Sequence, residues 1–476
     1  DWHFLPIDAP QTPQNDATSM FGLSYERLIV MIGFTFLLML SGLSQRTLVS
    51  RSDDSWGLAS AAKAKANVRS ACSNVKDFVV SIRRELHRVP EVMYNEEETS
   101  AIIQKHLDSL NIDYTSGWGV NTKTDRIPGP GGYGVVAQIG TGRAPTVLLR
   151  ADIDALPITE QTAKEFKSTH PGKMHACGHD GHTSMLLGAA AVLNSMDLDG
   201  TVKLIFQPAE EGGAGGLRMI EEGVLEDEPK VQAAFGIHLW PALPSGQVGS
   251  RPGVVLAACD RFEIQISGIG GHAAMPHLTV DPLVAQSALV MSLQTIVSRR
   301  VSPLSAGVVS ITKVEGGAAF NVIPEGVTIW GTIRSLTDED LAFLKSSVES
   351  MSHDVSKSHG CNATVTWSPD AYPATVNDLG LWENVGSKVA AEVSDTKEVV
   401  PVKPTMGAED FSFLAKGVPA NFYLLGQGSK TGVTDWGLHH PRFDIDEDVL
   451  VKGVELHVRS ALEGIKRLKE VAGGEL

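Results

Sequence analysis

The chain has 476 residues, more than the roughly 250–300 at which a single hydrophobic core stops growing, so at least two domains are expected. Lys and Arg total 40 against 56 Asp and Glu, and the formal charge of −16 argues against a phosphate backbone, so no nucleic-acid partner is expected. With 42% hydrophobic and 20% charged residues the composition is that of a globular enzyme and too apolar for a disordered chain.

The first feature along the chain is an address. From Leu28 to Leu43 the sequence LIVMIGFTFLLMLSGL is almost wholly apolar, preceded by Arg27 and followed by Arg46 and Arg51. It is shorter than the roughly 20 residues of a spanning helix, so it reads as a signal-peptide core directing the chain to the secretory pathway, the endoplasmic reticulum lumen or beyond. An uncleaved membrane anchor is the alternative, and the Ser-, Ala- and Arg-rich stretch up to Asn74 could carry an organelle-directed address. Contact with a membrane is expected only through this apolar segment. Residues 1–75 are set aside as targeting segment and linker.

After residue 76 helical periodicity alternates with short β-branched runs. Residues 76–88 and 97–110 read as helices, and apolar strands follow at Val135–Ile139, Thr146–Leu149, Val202–Phe206, Ala233–Ile237 and Phe422–Leu425. A helix starting near His182 buries Met185, Leu186, Ala189, Ala190 and Leu193 on one face, with Asp180 as its expected cap. This alternation predicts an α/β sheet covered on both faces. Between about 260 and 370 the rhythm changes to β-α-β-β-α-β. Phe262–Ile266 alternates as a half-exposed strand, and Asp281 and Pro282 open a helix. Strands follow at Gly307–Val314 and Val327–Ile333, a helix is capped at Thr337 and ended by Gly360, and Ala363–Trp367 closes the set. That order is ferredoxin-like and predicts a domain inserted into the larger one.

Polar groups cluster where the strands end, in the crevice where open α/β sheets bind ligands. Arg150-Ala151-Asp152-Ile153-Asp154 follows one strand, Pro208-Ala209-Glu210-Glu211 a second and His238 a third. His175, Cys177, His179 and His182 place three imidazoles and a thiol within eight residues, all groups that bind borderline metals. A His-rich loop can also be a solvated turn, Cys177 an inert buried thiol and His238 a satisfied core histidine. Glu210 and Glu211 side by side are costly at an apolar strand end unless a cation neutralises them, although an exposed acidic loop would also read this way. The four cysteines, Cys72, Cys177, Cys259 and Cys361, have no paired spacing that suggests a disulfide framework.

The runs RADIDALP, MHACGHDGHTSMLLGAA, FQPAEEGGAGG, GIHLWPALPSG, GGHAAMPH, FNVIPE, MGAEDFSF and LHHPRFDIDED occur in one order across about residues 76–470. In that order they resemble metal-dependent amidohydrolases of the kind seen in plant IAA-amino acid hydrolases and bacterial hippurate hydrolases, within a wider group of aminoacylases and carboxypeptidases. The resemblance implies a zinc-peptidase-like α/β catalytic domain at 76–259 and 371–476. It also implies an inserted ferredoxin-like α+β domain at 260–370, serving as lid and as the place where a homodimer would form. It implies Cys177, His179, Glu211, His238 and His439 as ligands to two divalent metal ions bridged by the Cys177 thiolate, with Glu210 as general base. Relatives show Leu-His-Ser-Pro where this chain has Leu438-His439-His440-Pro441, so the last ligand lies between the two histidines. Manganese is the metal implied, with zinc, which thiolate and imidazole donors favour, as the alternative.

Asp152 is then expected to act in catalysis from behind, by holding a ligand histidine in the right tautomer, and Arg150 stands where the family usually has histidine. His272 resembles the residue that reaches the substrate oxyanion, and Asn321 and Arg334 resemble groups that bind its carboxylate, although Arg334 also suits an ordinary strand surface. The substrate implied is a small N-acyl amino acid, either an indole-3-acetic acid (auxin) conjugate or a hippurate-like compound, cleaved at its amide bond. A carboxypeptidase or dipeptidase, a cysteine hydrolase using Cys177 with His179, and a metal-bound carrier without turnover are the competing readings.

Overall fold

The strand Thr146–Asp152 is buried along its whole length because both faces of its sheet are covered. Val147 and Leu149 face one apolar core with the helices Lys76–Arg88, His179–Asn194 and Leu450–Gly474, while Leu148 faces a second with Met219, Phe411 and Phe422. In this computed structural model residues 68–428 and 436–474 are described. The segment 28–43, read as a signal core, lies outside them, and among the described residues no helix is long and apolar enough to cross a membrane.

Among the described residues eight strands form the larger sheet, in the order Asp113–Val120, Gly131–Gly140, Thr201–Gln207, Thr146–Asp152, Ala233–Pro244, Ala420–Gly428, Val248–Ser250 and Val400–Pro401. Its centre is parallel, with Thr146–Asp152 flanked by Thr201–Gln207 and Ala233–Pro244, and Ala233–Pro244 flanked in turn by Ala420–Gly428. Parallel neighbours bring several strand carboxyl ends to one edge, which positions the site. His238 falls within its strand rather than after it, because backbone pairing with Ala420–Gly428 carries the strand past the apolar run Ala233–Ile237.

The smaller sheet has the order Gly307–Gly316, Gly326–Ser335, Ala258–Ser267 and Asn362–Trp367, antiparallel throughout. With the helices Pro282–Thr295 and Asp338–Ser358 on one face it completes the ferredoxin-like arrangement. Local chemistry starts both helices. The Asp281 carboxylate accepts the Leu283 N–H at 2.8 Å ahead of Pro282, and the Thr337 hydroxyl accepts the Asp340 N–H at 3.0 Å.

Two expectations are corrected here. Val68–Asn74 is a helix that buries Cys72 in the main core, so the segment set aside as linker contains part of the fold. Asp180 does not cap its helix, which begins at His179 after Gly178 in the left-handed region. Asp180 is buried, and its Oδ2 accepts from Arg83 Nε at 3.0 Å and faces His87 Nδ1 at 2.8 Å. A buried partner for Arg83 outweighs the local capping preference.

Candidate metal centre and substrate cleft

Four segments converge at the edge of the larger sheet on a cleft of about 450 Å³, which also receives side chains of the smaller domain. Cys177 and His179 come from the turn into the helix His179–Asn194, and Glu210 and Glu211 from the loop after Thr201–Gln207. His238 comes from its strand and His439 from the loop before the last helix.

The imidazoles of His179 and His238 are aimed by their other nitrogen. His179 Nδ1 bonds to the Asp154 carbonyl at 2.8 Å and His238 Nδ1 to the Leu239 carbonyl at 2.7 Å, which leaves both Nε2 atoms facing inward. His238 Nε2 lies 3.5 Å from Cys177 Sγ. His439 Nε2 lies 3.3 Å from the same sulfur and 3.1 Å from Glu211 Oε1. His439 takes a left-handed backbone (φ 63°) while its N–H bonds to the Ala176 carbonyl at 2.7 Å, a strained conformation held by its surroundings. His440 turns away and stacks on Trp436 at 4.2 Å between ring centroids, so of the two histidines only His439 reaches Cys177.

These donors suit divalent cations. Cys177, His179 and His238 form one group whose ligand atoms lie within 4.8 Å of one another, Cys177, Glu211 and His439 form another, and Cys177 belongs to both. His179 Nε2 is buried with no hydrogen-bond partner, an arrangement that is costly for an imidazole unless something binds there. In the chain alone, burial and then the charges of Glu211, Glu210 and Asp152 push the Cys177 thiol well above its ordinary range. Burial likewise pushes His238 well below its range. Burial disfavours a charged His179 too, but the carboxylates of Asp152 and Asp154 hold it up at about 10.

Glu210 belongs to neither group that contains Cys177, but its carboxylate lies within the same 4.8 Å of the ligand atoms of His179 and Glu211. Burial and then the neighbouring Glu409 and Glu211 charges raise its carboxyl well above the ordinary range, so it is suited to carry a proton. For Glu211, burial opposes ionisation, yet His439 and His179 keep its carboxyl below that range. The two adjacent glutamates are therefore driven apart electrostatically.

Asp152 does not touch the cleft. Its Oδ1 lies 2.6 Å from His182 Nδ1 and its Oδ2 2.6 Å from Arg150 Nη1, so the histidine it hydrogen-bonds is His182, while the same Oδ2 faces Nε2 of the predicted ligand His179 at 3.7 Å. His182 Nε2 in turn accepts the Leu239 N–H at 2.9 Å, so the hydrogen-bond chain from Asp152 reaches the backbone beside His238. Arg334 lines the cleft. His272 and Asn321 do not; His272 lies in a two-stranded ribbon, Gly271–His272 with Val322–Ile323, on the inserted domain, Asn321 directly precedes its second strand, and both residues are exposed.

Three supports escaped sequence reasoning. Asp154 accepts the backbone N–H groups of Glu210 and Glu211, both at 3.0 Å. Tyr372 donates its hydroxyl proton to the Glu210 carbonyl at 2.8 Å. Arg150 is fully buried and bonds to Asp152, Glu409 and Asp410. The two aspartates of Arg-Ala-Asp-Ile-Asp were the available signal for Asp154.

The profile of peptidase family M20/M25/M40 matches residues 148–463. The chain belongs to this family. As a member of peptidase family M20/M25/M40 it is a hydrolase acting on amide bonds. It is 42% identical over 398 residues to the Arabidopsis thaliana protein "IAA-amino acid hydrolase ILR1-like 4", covering 83% of this chain and 87% of the relative. Its identity to the Bacillus subtilis "N-acetyl-L-cysteine deacetylase" is 39% over 386 residues, covering 80% and 86%. Among solved structures, a dinuclear metal-binding peptidase of the M20 family from Bacillus subtilis superposes with a TM-score of 0.68 at 32% identity, covering 83% of this chain and 99% of that one.

Proposed function

We propose that this M20 hydrolase cleaves the amide bond of N-acyl amino acids, with indole-3-acetic acid conjugates and hippurate-like compounds as the substrates to test first. The observation that carries the reading is the placement of Glu210, a buried carboxyl lining the cleft beside a donor set centred on Cys177. Cys177, His179, Glu211, His238 and His439 would hold two divalent cations, with manganese as the first candidate and zinc as the second. The chemistry supplied there is polarisation of the amide carbonyl and acidification of water. Glu210 takes the proton of the attacking water and returns it to the leaving amine, which needs a carboxyl whose affinity for protons is high enough to hold one between the two events. Asp154 and Tyr372 fix the loop that carries Glu210 during both transfers. Arg334 offers its guanidinium to the substrate carboxylate, while its Nη1 is tethered to the Met406 carbonyl at 2.8 Å.

Exposed Phe320, Met275 and Ile269 beside His272 and Asn321 support a homodimer contact through the inserted domain. The apolar run 28–43 supports routing to the secretory pathway. The test is turnover of a panel of N-acyl amino acids by the full chain, before and after chelation and with manganese or zinc restored. Loss on chelation with recovery on restoration is expected. Activity untouched by chelation would remove the metal mechanism, and metal-loaded enzyme inert toward the whole panel would remove the substrate class.

A further inference from the structure

The strand Ala258–Ser267 buries every second residue against the helices of its domain, so Cys259 and Arg261 stand on the opposite face of the sheet. On the neighbouring strand Gly326–Ser335, Arg334 is paired with Cys259 and Thr332 with Arg261. Arg261 and Arg334 are therefore diagonal neighbours on one face, about 7–8 Å apart at the backbone, and both line the cleft.

Apart from Glu210, the acidic groups that line the cleft already have partners. Asp260 is engaged by Lys345 and Ser368, Asp370 by Arg218, Glu409 by Arg150, and Glu211 faces His439. Neither Arg261 nor Arg334 has a carboxylate partner among the described residues. Arg261 Nη2 donates to the Gly212 carbonyl at 3.2 Å, and Arg334 donates to that of Met406. The Arg261 guanidinium lies flat against Gly212, where a Cβ would come within 3.0 Å of Nη2, one residue beyond Glu211. That glycine has φ +96°, a backbone that favours glycine, and the missing side chain lets the arginine pack closely over the loop.

An N-acyl amino acid with a neutral side chain carries one carboxylate and uses one guanidinium. The geometry points to Arg261 as a specificity-determining residue that binds a second carboxylate on the substrate, so the preferred leaving amino acids are aspartate and glutamate. This inference rests on the proposed N-acyl amino acid hydrolysis. A guanidinium suits the role because it is always charged and offers paired donors to a carboxylate while keeping one bond to Gly212.

The experiment compares kcat/KM of the metal-loaded full chain for N-benzoyl-L-aspartate, N-benzoyl-L-glutamate, N-benzoyl-L-alanine and N-benzoyl-L-lysine, in the parent and in Arg261→Gln, Arg261→Lys and Arg261→Glu. The parent should prefer the two acidic substrates. In Arg261→Gln the acidic-to-neutral ratio should fall roughly 10- to 100-fold, the scale of a lost charge-assisted contact. Arg261→Lys should recover part of the ratio, and Arg261→Glu should move the preference toward the lysine substrate. A parent that favours alanine over aspartate and glutamate overturns the inference. So does an Arg261→Gln variant slowed equally on every substrate, because the arginine would then serve only as a tether between the inserted domain and Gly212. Either result leaves N-acyl amino acid hydrolysis standing, whereas a parent inert toward all four substrates and toward the wider acyl panel overturns that reading and this inference with it.

Discussion

Asp154 holds Glu210 by its backbone: one carboxylate oxygen of Asp154 accepts the Glu210 N–H at 3.0 Å, and the other accepts that of Glu211 at the same distance. A residue at the end of one strand thus sets where the loop after the next strand presents its two carboxylates. Asp154→Asn replaces one of these acceptor oxygens by an amide NH₂, which cannot accept from an N–H. The expected cost is about 1–3 kcal/mol in denaturant unfolding. The variant should remain folded while kcat drops by about 100-fold, with a smaller change in KM, because a misplaced base damages the reaction more than substrate capture. A variant with parental kcat would show that the clamp does not govern the base.

Glu210→Gln keeps the size of the side chain and removes its capacity to accept a proton. Glu210 shares a candidate donor group with His179 and Glu211 but neither group joined at Cys177, and the variant leaves Cys177, His179, Glu211, His238 and His439 in place, so metal content measured by mass spectrometry should stay near parental while kcat falls by about 10²–10⁴-fold. If the variant instead lost metal, the roles of Glu210 and Glu211 would be reversed.

The features legible in the sequence are those decided locally or by pattern. Asp281-Pro282 and Thr337 start their helices through bonds within a few residues, and the alternation of Phe262–Ile266 follows from one buried face. Cys177, His179, Glu211, His238 and His439 could be nominated because their motifs occur together, and the fold brings them to one edge. What the sequence hid depends on partners far along the chain. Asp180 looks like a helix cap until Arg83 and His87 are packed against it. Asp152 could be assigned to a histidine, but only the packing of His182 shows which one. That His439 rather than His440 faces Cys177 follows from the Trp436 stack and from a left-handed backbone that no local preference predicts for histidine.

Cys177 is shared by both donor groups, so its removal should affect both at once. In Cys177→Ala metal content and turnover should fall together, and the rise in melting temperature that manganese or zinc gives the parent should disappear, because a ligand stabilises only the state that binds it. Retained metal with no turnover would favour the thiol as a nucleophile. This measurement reads metal binding through stability, so it holds whichever substrate the enzyme prefers.

Glu160 makes a pH-dependent contribution away from the cleft. Burial would raise its carboxyl, but bonds from His87, from the Thr162 hydroxyl and from the Ser168 N–H hold it down at about 2. The ordinary glutamate value is about 4.3, so the folded state binds the proton less tightly than the unfolded chain. The stabilisation is therefore fully present above the unfolded value and is lost as pH falls through the folded one, and it amounts to at most about 3 kcal/mol. Chemical unfolding of the parent and of Glu160→Gln should differ most near neutral pH, with the gap narrowing steadily from about pH 4 to about pH 2. A gap of constant size across that range would mean that the Glu160 carboxylate contributes through shape alone.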